Sequence, residues 1–175
     1  KRQVLIPKSR APELRSALSE MFEETVVGDP RSPETGIGPV VTAEAANRIR
    51  NTCNEAISQG ALLLSGNREE SQESATVPPR LYEVQDSVAD IWNEELFGPV
   101  ACLRVYETED EAVGWANQSR YGLSGSIWSS DANRALLTAQ RLETGTVAVN
   151  SKKILDFAAP FGGWGQSGIG RELGE

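Results

Sequence analysis

The sequence has 175 residues, 39% of them hydrophobic and 24% charged; 17 Lys and Arg stand against 25 Asp and Glu, there is no His, and the formal net charge is −8. These are ordinary globular proportions, so collagen, coiled coil and wholesale disorder are excluded, and the length favours one domain with one sizeable core. The acidic balance argues against nucleic acid and against anionic membrane surfaces, both of which are bound through Lys and Arg.

The elements alternate between strand and helix patterns. Gln3-Val4-Leu5-Ile6, closed by Pro7, predicts a strand. Pro12 suits a first helical turn, and Leu14, Ala17, Leu18, Met21 and Phe22 follow at helical spacing. Gly28-Asp29-Pro30 and Ser32-Pro33 predict a turn-rich loop. Thr42 reads as the N-cap of a helix with Ala46, Ile49, Cys53, Ala56 and Ile57 on one face and Gly60 as its stop. Ala61 to Leu64 predicts a buried strand, and Gly66 to Pro79 a polar surface excursion. Val100 to Tyr106 predicts another strand. Thr108 and Glu111 form a capping box ahead of Ala112, Val113 and Ala116. Ser124 to Trp128 predicts a short strand. Ser130 or Asp131 caps a helix carrying Ala135, Leu136, Ala139 and Leu142, stopped by Gly145, and Thr146 to Val149 predicts the next strand. The tail from Asn150 shows no clear period. Strands separated by helices imply crossovers, so the expected fold is one α/β unit with a mainly parallel sheet and flanking helices.

The missing His rules out a Ser-His-Asp triad and His-containing metal sites within these residues, and Cys53 and Cys102 are too few for a thiolate zinc site. Both cysteines lie in apolar patterns and read as small buried hydrophobes with no activating base. No apolar run approaches the roughly 18 residues of a membrane span, and no secretory signal is recognisable, so reduced thiols and a cytoplasmic location are expected. Asn117-Gln118-Ser119 matches a glycosylation sequon but reads as a helix end. Gly163-x-Gly165-x-x-Gly168 matches a dinucleotide fingerprint, yet it follows an irregular stretch, so a tight backbone path is the better reading. Glu94-Glu95-Leu96-Phe97-Gly98-Pro99 precedes a strand. It is either a solvated acidic turn or a carboxylate presented beside an aromatic ring. A carboxylate accepts from two hydroxyls at once, so a ribose diol would suit it.

In order, Val27-Gly28-Asp29-Pro30, Gly38-Pro39-Val40, Glu94 through Val100, Asp110-Glu111-Ala112 with Ala116-Asn117, Tyr121-Gly122-Leu123-Ser124, Gly145-Thr146-Val147 with Val149-Asn150, and Pro160-Phe161-Gly162-Gly163 through Ser167-Gly168 to Gly170-Arg171-Glu172 resemble the aldehyde dehydrogenase superfamily. The resemblance implies a partial catalytic domain over residues 1–175 of a parent enzyme that uses NAD or NADP. In that enzyme a Cys thiolate attacks the aldehyde, hydride passes to the cofactor, and a Glu base helps hydrolyse the thioester. It implies that Glu95 holds the nicotinamide ribose hydroxyls and that Phe97 lies against the nicotinamide end. Phe161 would wall the aldehyde tunnel, Lys153, Ile154 and Leu155 would shape substrate choice, and Glu172 would serve a proton relay. By the same comparison the nucleophile falls just before Lys1. The base, the NAD(P)-binding domain and the C-terminal strand that joins subunits of a homo-dimer or homo-tetramer would also lie outside the chain, which alone would be inactive. Two other readings remain open: a stand-alone non-catalytic binding module of the same fold, and a related acyl reductase.

Overall fold

The apolar run near the start forms β1 (Gln3–Pro7) in a computed structural model that describes residues 3–66, 74–85 and 90–174. A 3-10 turn, Lys8–Arg10, leads into α1 (Ala11–Glu24), which has Pro12 in its first turn. The apolar stripe of α1 is Ala11, Leu14, Leu18 and Phe22. Ala17 and Met21, placed on that stripe by spacing, are exposed instead, because they fall beyond its Leu14 edge, on the side away from Phe22. Thr42 caps α2 (Ala43–Ser58) by accepting from Ala45 N at 3.1 Å. Ala46, Ile49, Cys53 and Ala56 are buried as expected, whereas Ile57 is 48% exposed. Gly60, at φ 94, follows the helix end in the left-handed conformation that glycine accepts readily.

The next strand is not the buried one expected. β2 (Leu62–Ser65) is an edge strand, and its Leu62 is 61% exposed. Within the stretch from Gly66 to Pro79, 67–73 lies outside the described residues. Its far end is no surface excursion, because Val77, Pro78 and Pro79 are buried. Two further elements follow that patterning does not announce, β3 (Arg80–Glu83) and α3 (Asp90–Asn93). β4 (Val100–Tyr106) completes a sheet of order β1-β4-β3-β2, parallel at β1–β4 and β3–β4 and antiparallel at β2–β3.

Alternation along the strands gives this sheet two apolar faces. Ile6, Leu81, Ala101 and Leu103 pack against α1. Tyr82, Val84, Val100 and Cys102 pack against α2 and α3 through Ile49, Cys53, Ile91 and Trp92. Arg15 Nε donates to Glu83 Oε2 at 2.6 Å, and Glu23 Oε1 accepts from Ser65 Oγ and Gly66 N, so α1 is tied across β2 and β3 by polar bonds as well.

The remaining elements are α4 (Glu109–Asn117) with its Thr108/Glu111 capping box, β5 (Ser124–Ile127), α5 (Ala132–Ala139) capped by Asp131, and β6 (Thr146–Val149). β5 and β6 pair in parallel. The α5 helix stops at Gln140, ahead of the expected Gly145, and its Leu136 is exposed. Asn117 ends α4, donating to Arg141 O at 2.8 Å and accepting from Glu143 N at 2.9 Å. The tail contains a short antiparallel pair, β7 (Phe161–Gly162) and β8 (Arg171–Glu172). The architecture is thus α/β with mainly parallel pairing. Where length favours one unit, the chain forms two compact ones, Lys1–Glu107 and Thr108–Glu175. Among the described residues, no helix is long and apolar enough to cross a membrane.

Candidate functional site

Glu95 and Phe97 sit on the loop between α3 and β4, and the local sequence explains its shape. Ile91 and Trp92 are buried and anchor α3, while Glu94 N donates to Asp90 O at 2.7 Å. Leu96 then turns inward and packs on the core face shared with α2. Gly98 lies directly over Ile49: a Cβ there would come within 2.5 Å of Ile49 Cδ1, so glycine lets the loop settle this low without moving that side chain. With Leu96 inside and Gly98 down, the residue between them is turned outward. Phe97 takes φ 49 and is 83% exposed, and Glu95 is exposed as well. A bulky side chain at positive φ is a genuine outlier, and such strain clusters at ligand contacts. An acidic group and an aromatic face are therefore displayed together on a tightly seated loop.

The other five residues belong to the second unit. β6 ends at Asn150, φ 50, whose amide side chain is clamped on Ser129: Oδ1 accepts from Ser129 N and Nδ2 donates to Ser129 O, each at 2.8 Å. Asn tolerates this conformation, so the chain turns sharply into the loop carrying Lys153, Ile154 and Leu155. That loop is pinned at several points. Ser151 Oγ accepts from Lys153 N at 3.0 Å, Asp156 Oδ1 accepts from Ala158 N at 3.1 Å, and Phe157 O accepts from Gly174 N at 3.1 Å. The Ala158 amide first, and then Lys153 Nζ at 3.4 Å, hold the Asp156 carboxyl below its ordinary range. Ile154 is half-buried, and Leu155 and Lys153 are exposed.

Phe161 and Glu172 are direct partners across the β7–β8 pair, and both line an open cleft of about 340 Å³ together with Leu123, Ser167 and Arg171. Arg171 does not pair with its neighbour. Its Nη1 donates to the carbonyls of Gly163, Ile169 and Gly170 at 2.9, 3.2 and 2.9 Å, which shapes the turn. Gly145 supports β7 from below: a Cβ there would lie 1.7 Å from Gly162 O.

The glycine fingerprint proves to be a packing path. Tyr121 bridges to Gly165, Gln166 N donates to Arg120 O, and Trp164 N donates to Gly122 O. No helix opens within it. Cys53 and Cys102 are free and buried. Cys53 lies against Tyr82, whose phenol is pushed above its ordinary value chiefly by burial. The supporting residues Asn150, Asp156, Ser167 and Arg171 carried no role in the sequence reading. Only Asn150, as an Asn directly after a strand, offered a turn signal.

The aldehyde dehydrogenase family model matches residues 1–175. A 3-succinoylsemialdehyde-pyridine dehydrogenase from a Pseudomonas species is 38% identical over 99% of this chain and 37% of its own length. A succinate-semialdehyde dehydrogenase (NADP+) from Deinococcus radiodurans is 40% identical over 92% of this chain and 34% of its own. A solved structure of a mutant aldehyde dehydrogenase C from Pseudomonas syringae, complexed with NAD+ and octanal, superposes with a TM-score of 0.90 at 34% identity, covering 98% of this chain and 36% of that one. The chain thus spans about a third of the length of the curated relatives it matches, 37% and 34% for these two.

Proposed function

The chain belongs to the aldehyde dehydrogenase family, and from that membership we propose that it is the part of an NAD(P)+-dependent aldehyde dehydrogenase that seats the nicotinamide ribose and walls one side of the aldehyde tunnel. The observation that carries this reading is the strained, exposed Phe97 beside the exposed Glu95 on a loop seated by Leu96 and Gly98. When bound, the nicotinamide supplies the hydride acceptor. Glu95 accepts hydrogen bonds from the ribose hydroxyls, and the Phe97 ring limits the travel of the nicotinamide end. Phe161 presents an apolar wall to the aldehyde. The pinned loop at Lys153, Ile154 and Leu155 selects among substrates, and Glu172, held across from Phe161, passes a proton on the hydrolytic side.

The nucleophilic Cys and the general base come from residues outside these 175, so the covalent step belongs to the whole enzyme. That enzyme is a cytoplasmic homo-dimer or homo-tetramer acting on a small-molecule aldehyde. The test is steady-state kinetics of the full enzyme with Glu95→Gln. Two charge-assisted hydrogen bonds are at stake, so KM for the cofactor is expected to rise roughly 10- to 100-fold while KM for the aldehyde stays within about twofold. Unchanged cofactor KM would remove Glu95 from the site.

A further inference from the structure

α3 (Asp90–Asn93) ends with Glu94 N donating to Asp90 O at 2.7 Å. The carbonyls of Ile91 and Trp92 fall in the last turn, where a helix has no partner of its own to offer. Both are taken up by side chains of the sheet beneath. Gln3 Nε2 donates to Trp92 O at 2.9 Å across 89 positions of sequence, and the Cys102 thiol donates to Ile91 O at 3.4 Å. Gln3 and Cys102 are themselves partners in register on the parallel pair β1–β4, and Tyr82 continues the same row on β3. One rung of the sheet thus presents two donors, side by side, to two consecutive carbonyls. Two residues further along β4 on the same face, the Arg104 guanidinium lies 5.9 Å from the centre of the Trp92 ring and donates to Gln85 O at 2.8 Å.

We propose that Gln3 and Cys102 are positioning residues for the cofactor loop: by seating the two free carbonyls of α3 on the sheet, they set the height from which the next residues, Glu95 and Phe97, are displayed. This rests on the reading of that loop as the cofactor seat. Glu95 lies only three residues beyond Trp92, and Leu96 and Gly98 fix the loop's far end, so the near end is governed by where α3 sits. A small tilt of α3 shifts a carboxylate that must meet two hydroxyls, and hydrogen-bond strength falls steeply with distance and angle.

The test uses the full enzyme. Gln3→Leu keeps volume and removes the donor; Cys102→Ala removes the thiol, and Cys102→Ser restores a donor. KM for the nicotinamide cofactor is expected to rise about three- to tenfold in Gln3→Leu and in Cys102→Ala, with kcat and aldehyde KM within about twofold, and to return toward the parent value in Cys102→Ser. In parallel, amide hydrogen exchange at residues 94–98 of the cofactor-free enzyme is expected to accelerate in Gln3→Leu, a readout independent of what Glu95 binds. Unchanged exchange there overturns the seat. Faster exchange with unchanged cofactor KM, in an enzyme where Glu95→Gln does raise that KM, overturns the positioning role. If Glu95→Gln leaves cofactor KM unchanged, it is the cofactor-seat reading that fails, while the exchange result still decides whether Gln3 holds α3.

Discussion

Phe97 and Asn150 share nearly the same backbone angle, φ 49 and φ 50, for different reasons. Asn accepts the left-handed region with little penalty, and its side chain is used twice by Ser129. A phenylalanine in that region costs about 1–2 kcal/mol, and at 83% exposure it recovers little by burial. Phe97→Gly separates strain from use. It relieves the backbone but frees the unfolded chain by about 0.5–1 kcal/mol, so stability is expected to stay level or rise by up to about 1 kcal/mol. An ordinary core Phe would lose about 3 kcal/mol or more on truncation. Urea unfolding measures the first quantity and cofactor KM in the full enzyme the second, which is expected to worsen. A large loss of stability in Phe97→Gly would mean that the ring packs in the fold and that exposure misdescribes it.

Between elements, the tightest constraint is backbone against backbone. Gly145 leads into β6 and meets Gly162 of β7 so closely that an added Cβ would overlap Gly162 O at 1.7 Å. Gly145→Ala must displace β7, and with it the Phe161–Glu172 pair. We expect a loss of at least about 2 kcal/mol in stability and loss of Phe161's place in the cleft, checked by unfolding and by the KM for an apolar aldehyde in the full enzyme. The α4–α5 contact is electrostatic instead. Glu109 accepts from Thr138 Oγ1 and from Arg134 Nε, each at 2.7 Å, and from Arg141 at 3.3 Å, while Asp110 takes Arg141 at 2.5 Å. The Thr138 hydroxyl first, then Arg134, lower the Glu109 pKa below its ordinary 4.5. A depressed folded-state value stabilises the fold at pH above 4.5, and this contribution is lost as pH falls through the lowered value. Glu109→Gln is therefore expected to cost about 1 kcal/mol near neutral pH, with the difference from the parent shrinking below pH 4.5. A difference that persists unchanged at lower pH would assign Glu109 a packing role. These ties also show what was legible in advance. The caps Thr42, Thr108 and Asp131 each declared their helices because capping is local chemistry. β3 did not declare itself: Arg80-Leu-Tyr-Glu is short, follows two prolines, and is a strand because β2 and β4 flank it.

At the scale of the molecule, the family and the candidate residues Glu95, Phe97, Phe161 and Glu172 could be read from collinear motifs, since each is a local pattern of glycine, aromatic and acid. What holds them could not. The Gln3–Trp92 bond spans 89 positions, and Gln3 looked like no more than the start of a strand. The division at Glu107 was equally silent, because Thr108 opens a capping box there in place of a Gly- or Pro-rich linker. The structure also leaves much apolar surface uncovered: Val41, Phe157 and Ile169 are 87%, 87% and 89% exposed, and Leu137 and Trp128 are exposed as well. The 175-residue chain alone is accordingly expected to self-associate and to bind a hydrophobic dye, as judged by size-exclusion chromatography and dye fluorescence. A monodisperse, dye-silent monomer would contradict that. The proposed role of Glu95 is a grip on the ribose hydroxyls. Equilibrium binding of the reduced nicotinamide cofactor, and of its analogue lacking the nicotinamide-ribose hydroxyls, to the full enzyme with and without Glu95→Gln isolates that grip. The substitution is expected to weaken the natural cofactor at least about tenfold and to leave the deoxygenated analogue unaffected. Equal losses for both ligands, or none for either, would contradict it.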